Sequence, residues 1–137
     1  CGPKKKQKEG YINIDKKEWV KPDLVVDFEL ARLPFDTSSV DEIYTSHLLE
    51  HIKNFIPFME EIYRVCKPNI KIKIHAPHGL TEEGIGDPTH ERPLCPHTFD
   101  YFDRSSPYFS YDFKCNFKVI RKVKRAAHFY VELKAIK

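Results

Sequence analysis

The chain has 137 residues, of which 41% are apolar, 31% charged and 13% aromatic, the composition of one soluble globular domain and not of a disordered or fibrous chain. Its apolar runs are as short as Leu24-Val25-Val26, against the roughly 20 residues of a spanning helix, so a transmembrane protein is excluded. The net charge of +3 is too small to predict nucleic-acid binding by itself. No signal peptide is visible, and Cys1, Cys66, Cys95 and Cys115 form no Cys-x-x-Cys pair, so reduced thiols and a cytoplasmic setting are expected. Residues 1–137 read as a single domain. The opening on Cys1 without Met gives the expectation that the domain is N-terminally incomplete.

Residues 3–10 form a polar loop closed by Gly10, and Tyr11–Ile14 alternates as a short strand ending at Asp15. Leu24–Val26 is a second strand, ending at Asp27. Leu33-Pro34-Phe35-Asp36 is a turn, and Val40–Ser46 is a third strand, with Ile43 and Thr45 favouring extended backbone. A helical stretch begins at His47. The strongest helix covers Asn54–Cys66, where Phe55, Phe58, Met59, Ile62 and Cys66 recur at spacings of three and four, and Pro68 ends it. Ile70, Ile72 and Ile74 alternate with lysines as a fourth strand. The stretch from Ala76 to Pro96 is long, irregular and rich in proline and glycine, as functional loops tend to be. Pro96–Phe102 reads as a short helix, and Phe117–Val123 with His128–Ile136 as a terminal antiparallel hairpin.

This order predicts an α/β domain with a mostly parallel, Rossmann-like sheet and an antiparallel C-terminal hairpin. Ile12, Ile14, Val25, Val26, Ile43, Ile72 and Ile74 are expected in one buried sheet, with Phe55, Phe58 and Ile62 on its face. In such sheets ligands bind at the carboxyl ends of the strands, where Asp15, Asp27, Ser46 and His47 fall.

Two groups of residues carry competing readings. His47-Leu48-Leu49-Glu50-His51 fits H-x-x-E-H, an inverted zinc-peptidase motif, although here it straddles a strand end instead of lying within a helix. His75, His78, His90, Cys95, His97 and Asp87 are zinc-ligand types, but their spacing matches no compact metal site, so no metal is expected. Lys4-Lys5-Lys6 with Lys8 is ordinarily a solvated loop, which leaves nucleic acid open but not favoured. The aromatic run from Phe99 to Phe113 is mostly core or cover for the sheet edge, with some of it available as a surface for a protein partner.

Cys1-Gly2-Pro3, Gly10–Asp15, Leu33-Pro34-Phe35, Val40–Tyr44 running into His47–His51, Glu61–Pro68 and the Ile70–Ile74 strand arrive in a fixed order. Together they resemble a class I S-adenosylmethionine-dependent methyltransferase over roughly residues 1–77. The family's first strand would precede Cys1, and the glycine loop is clipped. The resemblance implies S-adenosylmethionine as cofactor, with Asp15 on the ribose hydroxyls, Asp27 and Phe28 at the adenine edge, Gly2 beside the methionine portion, and Ser46 and His47 where the sheet opens onto cofactor and acceptor. His47, His78 and His90 are the candidate bases. Residues His78–His97 are expected to fold over the carboxyl edge and form the acceptor side, with Asp87 and Arg92 as acceptor-binding residues. The methyl acceptor is not identified. Two alternatives stand beside this reading: a non-catalytic interaction module on a degenerate methyltransferase fold, and a zinc-dependent hydrolase.

Overall fold

The computed structural model describes residues 4–29, 32–109 and 111–137. Eight regular elements follow in order: β1 (Ile14–Asp15), β2 (Leu24–Val25), β3 (Val40–Ser46), α1 (Phe55–Val65), β4 (Cys66–Pro77), α2 (Glu82–Ile85), β5 (Phe117–Arg125) and β6 (His128–Ala135). Short 3-10 turns at Lys4–Lys6, Glu18–Val20, Leu49–His51 and Pro96–Phe102 join them.

Four strands form the main sheet in the order β3-β4-β6-β5. β3 and β4 are parallel, because α1 carries the chain back across the sheet between them. β6 then runs antiparallel to both β4 and β5, so the hairpin forms the expected antiparallel edge. Ile72 pairs with Leu133 and Ile74 with Val131, which puts all four on one face. That face and Phe55, Phe58, Met59, Ile62 and Val65 of α1 bury into a single core with Phe99, Phe117 and Phe129. The opposite face carries Tyr44, Lys73, Tyr130 and Glu132.

Side chains fix α1 at both ends. The Glu29 carboxylate accepts from the backbone N–H of Lys53 (2.9 Å) and Asn54 (3.3 Å), an anion at the positive end of the helix. In the last turns, Glu61 accepts from Leu33 N–H at 2.7 Å, and Arg64 donates to Glu61 and to the Leu33 and Phe35 carbonyls. The Leu33–Phe35 turn is thereby tied to the helix.

The single continuous sheet is corrected. β1 and β2 form their own two-stranded parallel sheet, so Val25 and Ile72 lie in separate sheets. A ladder continues only through an adjacent strand, and among the described residues none stands between β1–β2 and β3. Ile12 (58% exposed) and Val25 (56%) are therefore on the surface instead of in the core. The helix expected from His47 is also absent: His47 has φ 49°, a left-handed conformation that interrupts the chain before the Leu49–His51 turn. β4 begins at Cys66 rather than Ile70, with a register shift against β3 opposite Lys67–Asn69.

Candidate functional site

The carboxyl end of the main sheet collects histidines from three strands. β3 ends at Ser46, and the next residue, His47, donates its backbone N–H to the His75 carbonyl of β4 at 3.0 Å. β6 is antiparallel to β4, so it starts where β4 finishes, with His128 opposite Pro77. The His47 ring stands edge-on to His75 (4.9 Å between centroids) and His128 (5.1 Å). Tyr130 stacks flat on His75 at 4.2 Å, and Ser46 Oγ lies 3.3 Å from His75 Nδ1. Burial, helped by the two neighbouring imidazoles, lowers the His47 pKa to about 4, and burial lowers that of His75. His47 is therefore neutral near pH 7, with a lone pair available to take a proton.

A second group sits one turn further along the chain. Glu50 is 1% exposed, and among the described residues no hydrogen bond from another residue reaches either carboxylate oxygen. Burial pushes its pKa up. His47 Nδ1 lies 3.5 Å from Glu50 Oε1 and His51 Nε2 lies 4.0 Å from it, while the His51 and His90 rings meet at 4.8 Å. His90 arrives from the 78–97 segment, which just after that residue is fastened to the 50–53 stretch that follows β3. Glu91 N–H donates to the Glu50 carbonyl at 2.8 Å, and Arg92 donates to the Ile52 and Lys53 carbonyls at 2.7 Å each. The segment thus lies against the 50–53 stretch, where Glu50 in turn approaches His47.

The predicted site residues divide accordingly. Ser46, His47 and His90 come to this edge, together with Asp87, whose Oδ2 is 3.7 Å from His90 Nε2. His78 follows β4 at the same end of the sheet, its N–H donating to the Ala127 carbonyl at 2.7 Å, but its ring turns inward: it is buried edge-on to Phe129, its Nδ1 accepts from Leu80 N–H at 3.3 Å, and its carbonyl accepts from Thr81. Arg92 has its guanidinium over Phe55 and engaged with two carbonyls, which makes it a brace for the segment. Asp15 closes β1, and its Oδ1 accepts from Lys17 N–H at 3.0 Å. Asp27 follows β2 with Oδ1 held by Glu29 N–H at 3.0 Å, and Phe28 packs edge-on against Phe58 at 5.7 Å. Two carboxylates at the ends of parallel strands, one beside an aromatic ring, suit the hydroxyls and base of a nucleoside. Gly2 lies outside the described residues.

Sequence reasoning missed His128, and it treated Glu50 and His51 only as parts of a motif. The hairpin carried the signal for His128, since a strand antiparallel to β4 must begin at the edge where β4 ends. The H-x-x-E-H segment does not present both histidines on one helical face: His47 turns to His75 and His128, and His51 turns to His90. In the aromatic run Phe99 and Phe102 are core, whereas Tyr108 and Tyr111 are exposed. Among the described residues no helix is long and apolar enough to cross a membrane.

Residues 7–72, just under half of the chain, match the model of a family described as "Methyltransferase domain". No curated protein matches. A SAM-dependent methyltransferase from Aquifex aeolicus superposes with a TM-score of 0.63 at 20% identity, over 90% of this chain and 67% of that one. A SAM-dependent methyltransferase from Archaeoglobus fulgidus gives 0.62 at 14% identity, over 88% and 74%. A complex between the Haloferax volcanii Trm112 methyltransferase activator and a methyltransferase gives 0.61 at 15% identity, over 83% and 61%.

Proposed function

We propose that this chain, which has the class I S-adenosylmethionine-dependent methyltransferase fold, transfers a methyl group from S-adenosylmethionine to an acceptor at the carboxyl edge of β3 and β4. One observation carries the reading: the parallel β3–β4 pair ends in Ser46, His47 and His75 within a stretch that matches a methyltransferase domain or directly follows it. The bound cofactor supplies an activated sulfonium methyl group, so alignment of the acceptor provides much of the rate.

Each part of the proposed site then has a task. Asp15 holds the ribose hydroxyls, and Asp27 with Phe28 holds the adenine. Ser46 and His47 face the reacting atoms. His47, neutral near pH 7, receives the proton of an N–H or O–H acceptor. The 78–97 segment closes the acceptor side, with Asp87 orienting the acceptor and Arg92 bracing the segment against Ile52 and Lys53.

Calorimetric titration of the purified chain with S-adenosylmethionine tests the reading. Saturable binding of one equivalent is expected. Absence of binding would overturn it and favour a non-catalytic module on the same fold.

A further inference from the structure

We propose that Glu50, His51 and His90 form a binding site for one divalent transition-metal ion of the zinc type. Their candidate ligand atoms all lie within 4.8 Å of one another. Donors around a tetrahedral zinc stand ~3.4 Å apart at the usual bond lengths, so the side chains need to close by little more than an ångström.

The hydrogen bonds set the ring nitrogens for this role. His51 Nδ1 lies 3.1 Å from the Thr89 carbonyl, and His90 Nδ1 lies 2.8 Å from the Gly84 carbonyl. A carbonyl only accepts, and the Thr89 hydroxyl, also 3.1 Å from His51 Nδ1, gives its one proton to Asp87 Oδ1, so both Nδ1 atoms carry the proton, and in the neutral rings both Nε2 atoms keep a lone pair. Donation of the far ring N–H to a backbone carbonyl is the arrangement that orients metal-ligating histidines. In this cluster it occurs on both rings.

Glu50 is the independent observation. Its carboxylate is buried, and among the described residues neither oxygen has a hydrogen-bond partner on another residue. A carboxylate is rarely buried unless it is paired or bound to a metal. The groups near Oε1 are His47 and His51, which offer ring nitrogens instead of a permanent positive charge. A dication supplies the missing charge.

The cluster is also held rigidly. The Leu49–His51 turn presents Glu50 and His51, and bonds from Glu91 and Arg92 fix the chain on the far side of His90. Thr89, which receives His51, is itself locked to Asp87 through its N–H (2.8 Å) and hydroxyl (2.7 Å). Two imidazoles and one carboxylate leave a fourth coordination position open, as in zinc sites that bind water or substrate. The inference runs against the sequence expectation of no metal, because the ligands come from two segments about 40 residues apart that spacing alone does not connect. It does not rest on the methyl-transfer reading.

The test is equilibrium dialysis of the untagged chain against Zn2+, with elemental analysis of the retained metal. One equivalent is expected, and the affinity should fall by about 100-fold or more in His90→Ala and in Glu50→Gln. His128→Ala serves as the contrast, because His47, His75 and His128 form a second triad with ligand atoms within the same distance. It should leave the affinity unchanged. Co2+ added to the unmutated chain gives a readout that no folding defect can mimic: four-coordinate d–d absorption without a thiolate charge-transfer band. No bound zinc, unchanged affinity in His90→Ala, loss in His128→Ala, or a thiolate band would each overturn the proposal.

Discussion

Glu61 and Arg64 stand one turn apart on α1, with Arg64 Nη2 2.7 Å from Glu61 Oε1, and together they hold the Leu33–Phe35 turn. The same Glu61 oxygen accepts from Leu33 N–H, while Arg64 reaches the Leu33 and Phe35 carbonyls. Burial alone would push the Glu61 pKa up, but the Arg64 guanidinium and the Leu33 N–H outweigh it and hold it below its ordinary 4.5. A depressed carboxylate stabilises the fold above its unfolded-state pKa and loses that contribution as pH falls through the folded-state value. Glu61→Gln is expected to cost about 1.5–3 kcal/mol near pH 7. In urea melts at stepped pH, the gap between parent and variant should close below about pH 4, the range set by the glutamate reference pKa. A gap that persists at pH 2 would remove the charge from the explanation.

Gly84 is fixed by space. A Cβ there would stand 2.2 Å from the His78 carbonyl oxygen and 2.7 Å from Gly79 Cα, both backbone atoms that cannot swing aside. Gly84→Ala should therefore force the 78–86 turn apart, at a cost of about 1–3 kcal/mol by analogy with overpacked cores. Thermal unfolding measures this, and an unchanged midpoint would contradict the packing.

The main sheet was legible because its signals are local. Val40–Ser46 and Phe55–Val65 carry their periodicities in sequence, and the two alternating runs of the hairpin flank a short turn at Ala126-Ala127. β1 and β2 were legible as strands but not as a separate sheet, since alternation in Ile12 and Ile14 says which residues share a face and not what covers it. The site was less legible for the same reason. His47 and His51 fit one motif, yet the left-handed backbone at His47 sends their rings to different neighbours. Burial of Glu50 is a tertiary fact: a glutamate between Leu49 and His51 reads as solvated until the 87–92 segment covers it.

The thiols should differ in reactivity. Cys66 and Cys115 are buried, and burial pushes both thiols up to about 12, so they hold their protons at any ordinary pH. Cys95 is partly exposed at the start of the Pro96–Phe102 turn. In the native protein at pH 8, a maleimide followed by peptide mass spectrometry should modify Cys95 well before Cys66 or Cys115. Urea should bring all three to similar rates. Early labelling of Cys66 would contradict the core placement of the α1–β4 junction.

The strand-end carboxylates and the 78–97 segment predict separable effects on the two halves of the proposed site. Asp15 closes β1 with Oδ1 steadied by Lys17 N–H, so the carboxylate is oriented without help from a ligand. A hydrogen bond to a charged group contributes roughly 1.5–3 kcal/mol, so Asp15→Ala should weaken S-adenosylmethionine binding about 10- to 150-fold. Asp87 lies on the other side: it is exposed, it is held by Thr89, and it approaches His90 instead of β1 or β2. Its carboxyl sits below the ordinary aspartate range because of the Thr89 hydroxyl and N–H, so it stays ionised through mild acid. Asp87→Ala should leave S-adenosylmethionine affinity within about twofold, a change of under 0.5 kcal/mol, and should lower turnover once an acceptor is in hand. Calorimetry on the two variants separates the roles. Equal affinity in Asp15→Ala and parent would remove Asp15 from the cofactor side, and a tenfold loss in Asp87→Ala would move the 78–97 segment onto it.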